Sequence, residues 1–529
     1  MILIRILRIV RLIPGLNRWL NRVVTNIQCN STQPRPRAFS LWSHMPKRDD
    51  SPIAEPASPG EYTSWQMLTD RSYFSRHLPV ACNGFVANLP LDAMPTPDKA
   101  GEITELFLRK DGIQTSRSSS LFMFFAQWFT DSVLRTDFSD RRKNTSNHNI
   151  DLCQIYGLTE ETAGILRSKV GGRLRCQEIG GETYLDHLGE IGEDGKWRVK
   201  EHYQGLPYAS METLKSIMRA QPEARWHALY ATGLERGNSS IGYVAISTLF
   251  LREHNRICGE LAKNNPEWDD ERLFQTARMI NIVLLMKLVV VDYINHISGT
   301  DIFQFDTRFA EKQKWYRQPW IALEFDMLYR WHALVPESIH VNGAPVGQSE
   351  YRFNNALLEK LGFNTIVDGA SRSPAGEIRL GNTPHFLARA EYQNIKTGRD
   401  FRLKSFNDYR EQFGLRRCAN FDALTDDRAL SKRLEALYGD IENLEFVVGI
   451  FAEKKTSRGL FGALMNKMVA YDAFTQIYTN PLLSRNLYHA QTFTHYGLKL
   501  IEQTNSIQDL VDRNNQSGSD VLAGFGFDE

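Results

Sequence analysis

The chain has 529 residues, 42% apolar and 24% charged, the composition of a globular protein long enough for one large core or two to three ordinary domains. Its 63 Lys and Arg residues against 62 Asp and Glu leave a net charge of +1, so no global basic field argues for nucleic-acid binding. The 6 cysteines lie far apart without a C-x-x-C pair, which fits neither a zinc site nor a small disulfide scaffold; free thiols in a reducing compartment are the expectation.

Residues 1–30 begin MILIRILRIVRLIPGLNRWLNRVV, and no acid precedes Asp49. On a helical wheel Arg5, Arg8, Arg11, Arg18 and Arg22 gather on one side, with Ile, Leu, Val and Trp19 over the rest. Such a segment can lie in the headgroup layer with its arginines on anionic lipid. A targeting presequence and a helix packed on the body are the competing readings. Arginines inside the apolar run, and no A-x-A-like cleavage site, argue against a secretory signal, so a peripheral membrane or cytoplasmic location is expected. Pro14-Gly15 should split the segment into two short helices. No apolar run approaches the roughly 20 residues of a membrane-spanning helix.

Residues 31–60, with STQPRPRAFS and SPIAEPASPG, read as a Pro/Ser-rich linker. Residues 61–529 show no further linker and no repeat, and read as one mainly α domain with few short strands. SSLFMFFAQWFTDSVLR, SIGYVAISTLFLREHNRICGELAKNN, ERLFQTARMINIVLLMKLVVVDYINHIS and WIALEFDMLYRWHALV all carry helical apolar spacing, the last reaching toward Pro336. SIHVNG is the clearest strand.

His332 lies in LEFDMLYRWHALVPESI. A lone histidine on an apolar helix is more often a satisfied core residue than a ligand. Its neighbours add weight to the ligand reading: Tyr329 one turn before and Trp331 adjacent. One neutral imidazole from one helix suffices for proximal haem ligation.

LEFDMLYRWHALVP resembles the proximal helix of the cyclooxygenases (prostaglandin endoperoxide synthases), and STLFLREHNRICGELAKNNPEWDDERLFQTARMI resembles the REHNR helix shared across the animal haem peroxidase superfamily. LEALYGDIENLEFVVGIFAEK, KSFNDYREQFGL and NTSNHNIDLCQIYG match in order, so the likeness runs from near Tyr62 to near Asn515. The family's N-terminal EGF-like module has no counterpart. The resemblance implies a haem-peroxidase helical domain with His332 as axial ligand to the iron. It implies a radical-forming role for Tyr329, with Trp331 beside the haem. Asn394 in YQNIKTGRD matches the asparagine that accepts the proximal histidine's other N–H. The REHNR helix itself reads as structural.

The distal side departs from the family. Gln127 in FFAQWFTDSVLR matches the distal glutamine, but the fourth position after it, where the family places a histidine, holds Asp131. A carboxylate can move the peroxide proton if the pocket raises its pKa or a cation stabilises the developing charge. Arg236, at the position of the distal arginine of myeloperoxidase-like enzymes, can be that cation; a surface arginine in a Gly-rich loop is the alternative. The glutamate and methionine that tether haem covalently in myeloperoxidase have no counterparts, so non-covalent haem b is expected. Calcium is not expected, because Ser132 replaces the usual aspartate.

The cyclooxygenase carboxylate-anchoring tyrosine aligns with Phe353, and Arg35 or Arg37 are substitutes for its arginine. Three functions remain open. One is a tyrosyl-radical oxygenase of unsaturated fatty acids with peroxidase activity, using molecular oxygen and hydrogen peroxide or a lipid hydroperoxide. Another is a peroxidase of small phenols, and the third is a catalytically weak peripheral membrane haem protein.

Overall fold

A computed structural model describes residues 13–30, 70–78, 97–137, 140–218, 221–456 and 458–527. Within it, the helices that position the site are α1 (Pro14–Cys29), α2 (Ser120–Thr130), α3 (Ile241–Asn264), α4 (Asp270–Leu288), α5 (Leu323–Leu328), α6 (Ala388–Asp400) and α7 (Ala463–Tyr478). Side-chain oxygens of Ser119, Ser240 and Asp269 accept backbone N–H groups at the starts of α2, α3 and α4. Each cap satisfies a donor that the helix cannot pair internally.

Helices α3 and α4 pack together at the centre, and α2 lies across α3. Gly242 allows that approach, since a Cβ there would fall 2.1 Å from the Phe124 ring. One turn further on, Trp128 of α2 stacks on Phe250 at 4.8 Å and donates its indole N–H to Ser247 at 2.9 Å. These contacts fix which face of α2 turns toward the site. The REHNR residues act as ties: His254 is fully buried, donates from Nε2 to the Gly172 carbonyl, accepts the Tyr156 hydroxyl at Nδ1, and does not line the site cavity.

Helix α4 does not end at Leu288 but continues as a π-helical turn, Val289–Ile294. The extra residue per turn rotates Tyr293 inward. Strands are short antiparallel pairs. Ser338–Val341 pairs with Ala344–Gly347 around Asn342-Gly343, both at positive φ, the turn that an Asn-Gly pair favours. One contiguous apolar core runs from Cys29 to Phe525.

Two expected helices are shorter than their apolar spacing suggests. The distal helix stops at Thr130, leaving Asp131 as its C-cap. The proximal helix is only Leu323–Leu328, and His332 starts a separate 3-10 turn, His332–Leu334. The break has local causes. Trp331 donates its indole N–H to the Leu328 carbonyl at 3.0 Å, taking an acceptor the helix would otherwise use. Pro336 holds Val335 extended, at φ −75° and ψ 116°.

Helix α1 docks on the body by its polar side. Asn17, Asn21, Thr25 and Cys29 are buried, Asn21 exchanges hydrogen bonds with Gln304, and Arg22 pairs with Asp306 at 2.7 Å. Three of its apolar residues face outward, Leu16 at 39% exposed, Trp19 at 59% and Ile27 at 62%, while Val24 packs against the core. Pro14 stands in the first turn, where its missing N–H costs nothing. Arg5, Arg8, Arg11, Arg35, Arg37 and the linker 31–60 lie outside the described residues.

Candidate active site

A cavity of about 1350 Å³ opens between α2 and the segment after α5. Gln127, Asp131 and Arg236 line it, together with Tyr329, Trp331 and His332. It exceeds the roughly 300–1,000 Å³ of ordinary small-molecule sites, room enough in volume for a large cofactor.

On the α2 side, Gln127 donates from its amide to the Ser239 hydroxyl at 3.3 Å. Asp131 is nearly buried. Its Oδ2 accepts the Tyr243 hydroxyl at 3.1 Å, and its Oδ1 lies 3.5 Å from the Arg236 guanidinium, which is half exposed. Burial pushes the Asp131 carboxyl above its ordinary value, and this outweighs the opposing pull of Arg236 and Tyr243. Its place at the C-terminal end of α2 acts in the same sense, because the helix dipole there disfavours negative charge. Asp131 is therefore a stronger base than a free carboxylate.

Tyr329 and Trp331 make an aromatic part of the lining. The Tyr329 hydroxyl meets the Tyr293 hydroxyl at 2.6 Å, and its ring stacks on Trp331 with centroids 4.1 Å apart. Burial raises both phenols well above the ordinary tyrosine value, so each is neutral at physiological pH. Trp331 is in turn covered by Phe461 at 4.8 Å.

His332 is partly exposed to the cavity, and its Nε2 makes no hydrogen bond among the described residues. Gly376 lets a strand pass directly under this turn, since a Cβ there would fall 2.0 Å from the Ala333 carbonyl oxygen. Behind the ring, Nδ1 lies 3.0 Å from a Glu391 carboxylate oxygen, within ion-pair distance but off the direction of a formed hydrogen bond. Asn394, expected at this position, sits one turn along α6 with neither amide atom hydrogen-bonded. The carboxylate within ion-pair distance of Nδ1 belongs to Glu391.

These residues fit haem. A free imidazole nitrogen faces the cavity, and a buried carboxylate behind it has an oxygen, Oε2, with no hydrogen-bond partner. Arg225 and Arg352 line the same cavity and suit two propionates.

Sequence comparison agrees. A family model described as "Animal haem peroxidase" matches residues 139–523. The chain belongs to the animal haem peroxidase family. Prostaglandin G/H synthase 2 of Bos taurus is 32% identical over 457 residues, covering 85% of this chain and 72% of that protein. Prostaglandin G/H synthase 1 of Mus musculus is 32% identical over 467 residues, covering 85% and 72%. Among solved structures, fatty acid alpha-dioxygenase of Oryza sativa superposes with a TM-score of 0.66 at 18% identity, covering 84% of this chain and 81% of that one. At that identity the likeness shows the fold. The family makes this chain an oxidoreductase of the haem-peroxidase type, with haem as its cofactor.

Three residues of the site escaped sequence reasoning. Glu391 stands among charged neighbours in ARAEYQNIKTGRD, which reads as a surface helix. Tyr243 and Tyr293 lie inside apolar runs, where a tyrosine reads as core. Only their contacts with Asp131 and Tyr329 single them out.

Proposed function

We propose that this chain is a haem-dependent oxygenase of unsaturated fatty acids that works through a radical on Tyr329, with accompanying peroxidase activity. The observation that carries the reading is the placement of the Tyr329 phenol. It shares a cavity with His332, its hydroxyl is paired with Tyr293 at 2.6 Å, and its ring is stacked on Trp331.

His332 would hold a non-covalent haem b, which would supply the iron centre for oxidation by peroxide. Asp131 accepts the proton of hydrogen peroxide or a lipid hydroperoxide and returns it to the leaving oxygen. Arg236 stabilises the charge that develops there, and Gln127, anchored on Ser239, orients the peroxide. Glu235 lies 4.0 Å from Arg236 and is held by Arg135 at 2.7 Å. Tyr329 would give one electron to the oxidised haem centre and its phenolic proton to solvent in the open cavity, leaving a neutral radical. The radical takes a hydrogen atom from an activated C–H of the acyl chain, and molecular oxygen adds to the carbon radical left behind. The resulting peroxyl radical takes that hydrogen atom back from Tyr329, which gives the hydroperoxide and restores the tyrosyl radical. Tyr293 keeps a hydrogen-bond partner on the phenolic oxygen through both states.

The lipid substrate agrees with the outer surface. Leu16, Trp19 and Ile27 make an apolar face on α1 that the body does not cover, suited to a membrane surface, while no helix among the described residues is long and apolar enough to cross a membrane. A second reading, oxidation of small phenols with Tyr329 as a bystander, rests on the room left in the 1350 Å³ cavity. Oxygen uptake by holo-protein with linoleate, with products identified by mass spectrometry, separates them. Uptake and a hydroperoxide product are expected. Guaiacol oxidation without any uptake across a panel of unsaturated acids selects the second reading.

A further inference from the structure

The carboxylate behind His332 has no counter-charge of its own. Glu391 is only 2% exposed, and among the described residues no Lys or Arg pairs with it; the nearest ionisable group is the His332 ring, 3.0 Å away. Its Oε1 accepts the Thr383 hydroxyl at 2.8 Å, and its Oε2 is buried without a partner. An isolated carboxylate in such a place costs several kcal/mol unless a cation faces it. Helix α6 is held there by its buried face, Glu391, Asn394, Ile395 and Thr397, so the carboxylate does not swing out to solvent.

The geometry points to Glu391 as a positioning residue for the haem ligand: it takes the Nδ1–H of His332, fixes the tautomer that presents Nε2 to the iron, and gives the imidazole anionic character. The inference rests on the haem reading above. Its chemistry is that of outer-sphere partners of metal-bound histidines. An anionic acceptor at one ring nitrogen raises the basicity of the other, which strengthens the bond to iron and favours the ferric over the ferrous state. Thr383 opposes this, because its hydroxyl already draws charge from the same Oε1 atom. Asn394, one turn away on the same face, is the neutral residue that could act in place of Glu391.

Two substitutions with opposite expected effects test the proposal in haem-loaded protein, read by the iron–histidine stretching band of the ferrous form and by the ferric/ferrous reduction potential. Glu391→Gln should lower the stretching frequency. It should also weaken the ferric preference by about tenfold or more, equivalent to about 59 mV for a one-electron couple. Glu391→Asp should recover part of both. Thr383→Val, which frees Oε1 for His332, should move both readouts the other way, and it decides the matter should Glu391→Gln fail to load. The proposal is overturned if Thr383→Val and a haem-loaded Glu391→Gln keep the wild-type band and potential. It is also overturned if Asn394→Ala alone shifts them. Either result leaves the haem reading standing, as long as the spectra show histidine-ligated iron; absence of haem binding by the wild-type chain would remove that reading instead.

Discussion

Tyr329→Phe removes one oxygen atom from the proposed radical site and nothing else. The ring keeps its stack on Trp331 at 4.1 Å and its edge contact with Phe325 at 5.3 Å. What is lost is the hydrogen bond to Tyr293, worth about 0.5–1.5 kcal/mol net, plus about 1–3 kcal/mol for a buried hydroxyl left unpaired. Domains are stable by about 5–15 kcal/mol. A cost of about 3 kcal/mol taken from about 5 leaves some 97% of molecules folded, and the upper sum of about 4.5 kcal/mol still leaves about 70%, so unfolding accounts for at most about a third of the activity, far short of a hundredfold loss. Loss of the radical site should cut fatty-acid oxygenation at least a hundredfold, about 2.7 kcal/mol in the barrier. Peroxidase turnover of guaiacol should stay within a few-fold of wild type, because Asp131, Arg236 and His332 are untouched. The assays are oxygen uptake with linoleate and guaiacol oxidation on the same haem-loaded preparation. Oxygenation at the wild-type rate would refute the assignment and direct attention to Trp331, the aromatic ring stacked on Tyr329.

His332→Ala should abolish haem loading or leave the iron without its protein ligand, as no other histidine among the described residues lines the cavity; an unchanged Soret band at full occupancy would contradict the ligand assignment. Trp19→Asp combined with Ile27→Asp should release the protein from anionic liposomes at low salt with thermal stability unchanged, since both side chains are mostly exposed on α1. Wild-type protein that ignores such liposomes would exclude α1 as a membrane contact.

The parts of the fold legible in the sequence were those where local pattern and packing agree. The long buried helices α3 and α4 follow their apolar spacing, and the Asn-Gly hairpin lies where its dipeptide predicts. Six residues singled out for chemistry line one cavity, although they lie between positions 127 and 332 of the chain. Legibility failed where a tertiary contact overrides a local pattern. The apolar stripe of WIALEFDMLYRWHALV runs past a helix that ends at Leu328, because its carbonyl is claimed by the Trp331 indole. The polar stripe of α1 looks like a solvent face, yet it is the face that docks, on backbone groups near Gln304. Glu391 meets His332 across 59 positions of sequence, and no spacing rule reaches that far.

Asp131 offers a test in which stability and function should move in opposite directions. Its folded-state pKa is raised above the ordinary value, chiefly by burial. The sign follows from linkage: the folded protein holds this proton more tightly than the unfolded chain. Protonation therefore favours folding at low pH, and that contribution is lost as pH rises through the elevated folded value. At neutral pH the ionised carboxylate is a net cost, with Arg236 at 3.5 Å and half exposed offsetting only part of it. Asp131→Asn keeps the shape and an oxygen for the Tyr243 hydroxyl but carries no charge. It should be more stable than wild type at about pH 7, with the advantage shrinking as the pH falls through the elevated folded value of the wild-type carboxyl. Its reaction with hydrogen peroxide should slow markedly, because an amide cannot accept the proton. The wild-type rate should fall on the acid side as Asp131 protonates. Urea titrations at neutral and acid pH and stopped-flow mixing with peroxide measure the two effects. A variant that is faster, or less stable at neutral pH, would show that Asp131 is held in place for packing. A gain in stability with a loss of rate is the signature of a carboxylate retained for proton transfer at a cost to the fold.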